Sequence, residues 1–317
     1  MKNEVNILIE KIKDAESIVL IAHKNPDGDA LGSVLALMHL IELNYDKEVS
    51  CVYDGNIPDA LKYIPLRGRI KYVGHLENKD KKFDLAILLD YGTVNNIGET
   101  MPIIENAKFV AEIDHHKNDN KLGALCIDDD TASATAVLVY EIMRDVSLQY
   151  DDKVLDLIAI AILTDTGMFK YVHDGRALRI MSELVDAGVD INNLVEIMNN
   201  KPKKTIQTEA RAVADAEFFY RNRLVVAVID SRAYRDLDGR GTNALGLLGQ
   251  IKGVEYSVLL KEQKPNQIGV SLRSKTKPVN RIAEKLGGGG HMYASGAVVK
   301  DSLENVKNNI IELFKGV

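Results

Sequence analysis

The stretch "KFVAEIDHHKND", residues 108–119, carries an apolar run of strand length, stops it at Asp114 and follows at once with His115 and His116. The whole chain has seven histidines, so two side by side behind an acid ask for a reason. A solvent-facing turn is one reading; a metal site is the other. An apolar strand ending in an acid fits a parallel sheet buried on both faces, where ligands meet the carboxyl ends of the strands.

Working outward, the same form recurs. "SIVLIA" (17–22), "EVSCVYD" (48–54) and "DLAILLD" (84–90) read as further strands. "ALGSVLALMHLIEL" (30–43), "TASATAVLVYEIMRD" (131–145) and "DKVLDLIAIAILTD" (152–165) read as helices. Strands alternating with helices predict an α/β domain on a parallel sheet covered on both faces. The stretch 191–210, "INNLVEIMNNKPKKTIQTEA", is helical in pattern but polar at its centre and broken by Pro202, and is read as a connector. Beyond it "LVVAVID" (224–230), "EYSVLLKEQ" (255–263), "QIGVSLRS" (267–274) and "ASGAVVK" (294–300) read as strands. The middle pair forms a hairpin through Lys264-Pro265-Asn266, and helices are expected near 242–251, 278–286 and 302–315. The organisation is a first domain over 1–190, a linker over 191–210 and a smaller α/β domain over 211–317. A chain of 317 residues is too long for one ordinary core.

Composition narrows the class. Hydrophobic content of 46% and charged content of 27% are those of a soluble globular protein. The opening "MKNEVNILIEKIKDAESIVLIAH" reads as an amphipathic helix leading into a strand and lacks the parts of a signal peptide. No apolar run reaches the length of a membrane span, so no membrane partner is expected. Two cysteines, Cys51 and Cys126, give no disulfide framework and suit a reducing cytoplasm. The net charge of −6 is unevenly divided: residues 1–200 carry 20 basic and 34 acidic side chains, residues 201–317 carry 20 and 12. An acidic first part suits bound cations and a basic second part an anionic ligand. The overall sign argues against tight binding along long nucleic acid.

The chemistry gathers at the strand ends. After the first strand, "AHKNPDGDALGS" places His23, Asp27 and Asp29 around a Pro26–Gly28 turn. Two carboxylates aimed at one small volume repel unless a cation neutralises them. Asp90 ends the third strand, Asp114, His115 and His116 end the fourth, and Asp165 ends an otherwise apolar helix. A cap or turn explains any one of these alone. Four separate segments offering acid or imidazole at one end of the sheet are explained together by metal binding. The expected ligands are His23, Asp27, Asp29, Asp90, His115 and Asp165, more than one ion needs, with Asp90 shared between two. Hard oxygens mixed with imidazole favour Mn²⁺, with Mg²⁺ or Co²⁺ as substitutes, over a structural zinc. In the basic half, Arg273, Ser274 and Lys275 end a strand, and Gly287–Gly290 precede His291, Ala294, Ser295 and Gly296. A glycine run followed by histidine and small residues presents backbone amides to an anion, and Arg273 can grip a phosphate in two places. A flexible tether is the plain alternative. The spacing is neither that of the Walker loop nor that of the dinucleotide fingerprint.

"HKNPDGDALGS", "LLDYG", "DHH", "TDTG" and "GGGGHMYASG", in this order, resemble the DHH-family phosphoesterases with a C-terminal DHH-associated domain, over nearly the whole chain. Within that family the chain is most similar to the compact two-domain members that act on oligoribonucleotides and pAp. The resemblance implies an N-terminal parallel-sheet DHH domain and a smaller mixed-sheet DHH-associated domain, with the active site in the cleft between them. It implies one Mn²⁺ on His23, Asp27 and Asp90 and a second on Asp29, Asp90, His115 and Asp165. His116 is then the catalytic residue facing the scissile phosphate, and Asp114 orients the histidines. Arg273, Ser274, Gly288, Gly289, Gly290, His291 and Ser295 are then the substrate's binding residues. The implied reaction is attack by metal-activated hydroxide on 5′-phosphorylated oligoribonucleotides of two to five residues, and on pAp. A cyclic di-AMP or pApA phosphodiesterase is the alternative, and a nucleotide-binding module without catalysis a third; a homodimer stays open. One departure stands out: many relatives carry a basic or acidic residue pair a few positions after the acid at Asp90, where this chain reads "YGTVNNIG".

Overall fold

The computed structural model describes residues 2–315 apart from 59–60, 77–81, 173 and 238–241, and at residue 291 the backbone alone. The chain divides into two compact units, Met1–Asn199 and Asn200–Val317.

The first unit runs α1 (Lys2–Asp14), β1 (Ile18–Ala22), α2 (Gly28–Tyr45), β2 (Val49–Tyr53), β3 (Ile70–Tyr72), β4 (Leu85–Leu89) and α3 (Met101–Glu105). It continues with β5 (Phe109–Asp114), β6 (Leu125–Asp128), α4 (Thr135–Asp145), α5 (Asp152–Asp165), α6 (Arg176–Asp186) and α7 (Ile191–Asn199). Its six strands are all parallel, in the order β3-β2-β1-β4-β5-β6. The central strands β1 and β4 are buried at every position, which is why they read as unbroken apolar runs. Leu20, Ala22, Ile87, Leu89 and Ile113 face one core with α1, α2, α4 and α5. Val19, Ile21, Ala86 and Leu88 face a second with Tyr91, Ile97, Ile103 and Ile104.

This strand order reverses at β1: β2 and β3 build outward on one side, and β4, β5 and β6 on the other. Connections leaving β1 and β4 therefore part, and the crevice beyond their carboxyl ends is where open α/β sheets take ligands. Register fills that crevice. Ala22 pairs with Leu89 and Leu89 with Ile113, so His23, Asp90 and Asp114 emerge side by side. Helices α2 and α5 complete it, because α2 starts there and α5 ends there. They approach so closely that a Cβ on Gly32 would lie 2.7 Å from both the Leu157 carbonyl oxygen and the Ala161 Cβ, while Gly28 lies against Thr164.

The second unit runs α8 (Lys203–Ala214), β7 (Glu217–Phe219), β8 (Leu224–Ile229), α9 (Ser231–Arg235), α10 (Ala244–Gln250), β9 (Tyr256–Lys264) and β10 (Gln267–Ser274). It ends with α11 (Asn280–Lys285), β11 (Gly289–His291), β12 (Ala294–Val299) and α12 (Leu303–Leu313). Its sheet, in the order β11-β12-β10-β9-β8-β7, is mixed: β8 and β9 are parallel and the other pairs antiparallel. Tyr256, Val258, Leu260, Val270 and Leu272 pack under α11 and α12. Val225, Ala227 and Leu259 pack under α8 and α10. The β9–β10 hairpin turns through Pro265 and Asn266, the latter at φ 57°.

The stretch 191–210 holds the end of one unit and the start of the next: α7 stops at Asn199 and α8 starts after Pro202, with the division between Asn199 and Asn200. Four short strands, β3, β6, β7 and β11, add to the pattern read from sequence. Helix α4 starts at Thr135 rather than 131, because 129–134 form a turn closed by the Ala132 amide on the Asp129 carbonyl.

Candidate metal centre

Asp27 caps α2, its Oδ1 accepting from the amides of Asp29 and Ala30 at 3.1 Å each. The same oxygen lies 3.7 Å from His23 Nε2, which is also 3.9 Å from Asp90 Oδ2. Asp29 points inward and is 1% exposed. Its Oδ1 accepts from Ser33 Oγ at 2.9 Å and the Ala136 amide at 3.1 Å, and its Oδ2 from the Thr135 amide at 2.6 Å. An ionised carboxylate has about four acceptor sites, so one remains on Oδ2. That oxygen faces His115 Nε2 at 3.9 Å.

Asp90 leaves β4 with φ 58°, a left-handed conformation that Asp tolerates better than most side chains. Its Oδ1 accepts from Thr135 Oγ1 at 3.0 Å. His115 Nε2 is 3.5 Å from that Oδ1 and 3.5 Å from Asp165 Oδ2. Asp114 is fully buried: Oδ2 accepts from the Gly92 amide at 2.8 Å, and Oδ1 takes both the His116 amide at 2.9 Å and His116 Nδ1 at 2.8 Å. One acid thus ties the β4 loop to the histidine loop and fixes the His116 ring. Tyr91, also fully buried, donates to Glu112 Oε2 at 2.8 Å and accepts from Asn118 at 2.8 Å, pinning the same two loops from below.

The electrostatics leave a charge to be answered. Burial, with the neighbouring carboxylates, pushes Asp29 and Asp165 up to about 7. Burial and the charges of Asp29, Asp27 and Asp114 push Asp90 well above the carboxylate range. Burial lowers His115, favouring neutral imidazole. His116 goes the other way: burial pulls it down, but the bonded Asp114 outweighs that and raises it. The decisive atom is His115 Nε2. Its partner Nδ1 faces the Ala132 carbonyl at 3.2 Å and so carries the proton. Nε2 is left as a buried lone pair without a hydrogen-bond partner, facing three carboxylate oxygens. A lone pair among carboxylates is unfavourable by itself and fits a cation.

All six expected ligands meet in this crevice. His23, Asp27 and Asp90 form one group able to hold a metal ion, Asp29, His115 and Asp165 a second, and Asp90, His115 and His116 an overlapping third.

In the second unit Arg273 is exposed at the end of β10, its Nη1 donating to the Leu272 carbonyl at 2.9 Å. The Ser274 hydroxyl accepts from the amides of Thr276 and Lys277. The glycine run is more committed than its sequence suggests. The Gly287 and Gly288 amides donate to Glu284 and Ala283, closing α11, and Gly289, Gly290 and His291 pair with β12. A Cβ on Gly288 would lie 2.6 Å from Ala297 Cα, so close strand packing demands glycine there. The side chain of His291 lies outside the described residues. Ala294 pairs with Arg273, whereas Ser295 pairs with Leu272 and is buried on the opposite face.

Sequence reasoning missed Thr135 and the Ala132 carbonyl. The signal available was a helix start with alanine, Ala134, where a capping side chain is usual.

Comparison with known proteins gives the family. Residues 17–162 match the model of the DHH family, N-terminal domain, and residues 225–317 that of the DHHA1 domain. The bifunctional oligoribonuclease and PAP phosphatase NrnA of Thermus thermophilus is 28% identical over 98% of this chain and 94% of its own. The protein of the same name from Mycoplasma genitalium is 28% identical over 98% of each. A crystal structure of an exopolyphosphatase-related protein from Bacteroides fragilis shares the fold with a TM-score of 0.88, at 24% identity over 99% of this chain and 97% of that one. The chain thus carries an N-terminal domain of the DHH family followed by a DHHA1 domain.

Proposed function

We propose that the protein is a Mn²⁺-dependent phosphoesterase that hydrolyses short 5′-phosphorylated oligoribonucleotides to mononucleotides and pAp to AMP. The observation that carries this is the unpartnered His115 Nε2 among the carboxylates of Asp29, Asp90 and Asp165. The names of the relatives supply the substrate class. His23, Asp27 and Asp90 would hold one ion, and Asp29, Asp90, His115 and Asp165 the other. Asp90 would be the shared ligand, a reading supported by its Oδ2 facing His23 and its Oδ1 facing His115.

Bound divalent ions supply activated water and neutralise charge on the phosphate. The chain's own residues do the rest. Asp114 grips His116 through Nδ1, so that ring meets a phosphate or leaving oxygen through Nε2, and its raised pKa suits it to carry a proton there. Arg273, exposed at the end of β10, is the second unit's own candidate for gripping a phosphate.

The test is a panel of initial rates with Mn²⁺ on pApA, a 5′-phosphorylated pentaribonucleotide, a 24-mer, cyclic di-AMP, pAp and pyrophosphate. Fast release of AMP from the first two and from pAp, with the 24-mer slow, is expected. Dominant turnover of cyclic di-AMP would replace the substrate assignment. Bound Mn²⁺ with no turnover of any of the six would mark a binding module.

A further inference from the structure

A single turn of chain, residues 132–136, reaches metal-centre side chains from three other elements. The Ala132 carbonyl holds His115 Nδ1 at 3.2 Å. The amides of Thr135 and Ala136 hold both oxygens of Asp29 at 2.6 and 3.1 Å. The Thr135 hydroxyl donates to Asp90 Oδ1 at 3.0 Å. Thr135 is fully buried, so its hydroxyl has no bulk water to turn to. Helix α4 has no cap from its own Ala134; Asp29 caps it from α2. The N-terminus of an eleven-residue helix thus ends on two carboxylates that face the same small volume.

The Thr135 contact differs in kind from the other two. Backbone amides and carbonyls hold their partners whatever the side chain, so only the Asp90 bond depends on residue type. Among the described residues, Thr135 Oγ1 makes the one hydrogen bond to the Asp90 carboxylate; the imidazoles of His23, His115 and His116 stand at 3.4–3.9 Å. A carboxylate with two oxygens facing two ligand groups must be fixed in rotation, or one group gains at the other's expense.

We propose that Thr135 is a positioning residue for the metal centre: its hydroxyl fixes the carboxylate plane of Asp90 so that one oxygen serves each ligand group. This rests on the reading of Asp90 as the shared ligand. A hydrogen bond to the outer side of a ligand typically governs metal affinity by 10–100-fold. Because Asp90 belongs to both groups, losing the bond weakens both ions together, unlike a change at His23 or Asp165.

The experiment measures Mn²⁺ binding by calorimetry on the full chain, with electron paramagnetic resonance of the loaded protein and thermal unfolding of the metal-free protein. Thr135→Val keeps the shape and removes the hydroxyl, Thr135→Ala removes it with less crowding, and Thr135→Ser retains it. Valine and alanine are each expected to weaken both Mn²⁺ sites about 10–100-fold and to alter the spin coupling of the paired ions. Serine is expected to restore affinity and coupling. Binding within about twofold of the wild type in both valine and alanine variants overturns the proposal, and so does a serine variant as weak as valine. A wild type that binds Mn²⁺ while Asp90→Asn leaves both sites intact overturns the shared-ligand reading underneath it. A wild type that takes up no Mn²⁺, Mg²⁺ or Co²⁺ overturns the metal reading itself.

Discussion

Gly32→Ala sets two opposed effects against each other. In an exposed helix interior the change stabilises by about 1 kcal/mol, because glycine gives up more backbone entropy than alanine. Burying the added methyl offers roughly another 0.8 kcal/mol where it fits. It does not fit here. The new Cβ would stand 2.7 Å from the Leu157 carbonyl oxygen and 2.7 Å from Ala161 Cβ, against 3.4–4 Å for ordinary contact. Neither neighbour is the free end of a flexible side chain, so α2 and α5 must separate. Overpacking of this kind costs about 1–3 kcal/mol or more, and rigid partners on both sides put the clash at the upper end. The misplaced methyl then forfeits its burial gain, leaving a net loss of about 1–2 kcal/mol after the propensity gain. For a unit of this size that is a fall of roughly 3–6 °C in Tm.

The same displacement carries Asp165, at the end of α5, away from Asp29, at the start of α2. Mn²⁺ affinity is therefore expected to fall with stability. Thermal unfolding of the metal-free protein and a Mn²⁺ titration read the two effects. Gly249→Ala in α10 is the control, since among the described residues its Cβ would meet only Ser257 Oγ, at 3.8 Å, and that variant is expected to gain stability. A Gly32→Ala protein as stable as the wild type, with unchanged Mn²⁺ affinity, would refute the argument that this close approach sets the site.

Asp90→Asn keeps the left-handed turn and removes the charge, so hydrolysis should fall to background while circular dichroism stays unchanged; activity that persists with Mn²⁺ removes Asp90 from its shared role. Mn²⁺ at about 100 times its dissociation constant should stabilise the first unit by roughly 2.7 kcal/mol per site, raising its Tm by several degrees, and a chelator should return it. Asp84 accepts from Lys108, from the Ser17 hydroxyl and from the amides of Ser17 and Glu16, the Lys108 bond foremost, and its carboxyl titrates well below the usual range. Its contribution is complete above the unfolded value near pH 4 and lost as pH falls through the lower folded value. Urea unfolding of Asp84→Asn should therefore show a deficit at pH 7 that closes in acid, and a deficit constant with pH would contradict this.

What the sequence makes legible follows from burial. Strands β1 and β4 show themselves because neither face meets water, so every residue is apolar. Strands β3, β7 and β11 are short edge strands of three residues, too brief for any period to register. That the six expected ligands would gather in one crevice was legible because chemistry concentrates at the ends of readable strands and helices. The glycine run was legible as special but not for its main physical reason, which is the packing of Gly288 against the backbone of β12. Thr135 was illegible because its role is set by a partner 45 positions away, a distance that no local pattern reports.

The φ of +58° at Asp90 has a consequence for how such a protein changes over generations. Asparagine and glycine tolerate that conformation, and each is one nucleotide substitution away from an aspartate codon. Both replacements leave the turn, the sheet and the neighbouring core undisturbed while removing the charge between the two ligand groups. Most side chains at this position would damage folding and hydrolysis together and be cleared as misfolded chains. Asparagine and glycine instead keep the backbone conformation that the fold requires there. At this position, then, a single base separates a charged carboxylate between the two ligand groups from a neutral side chain, and folding quality control does not guard that step.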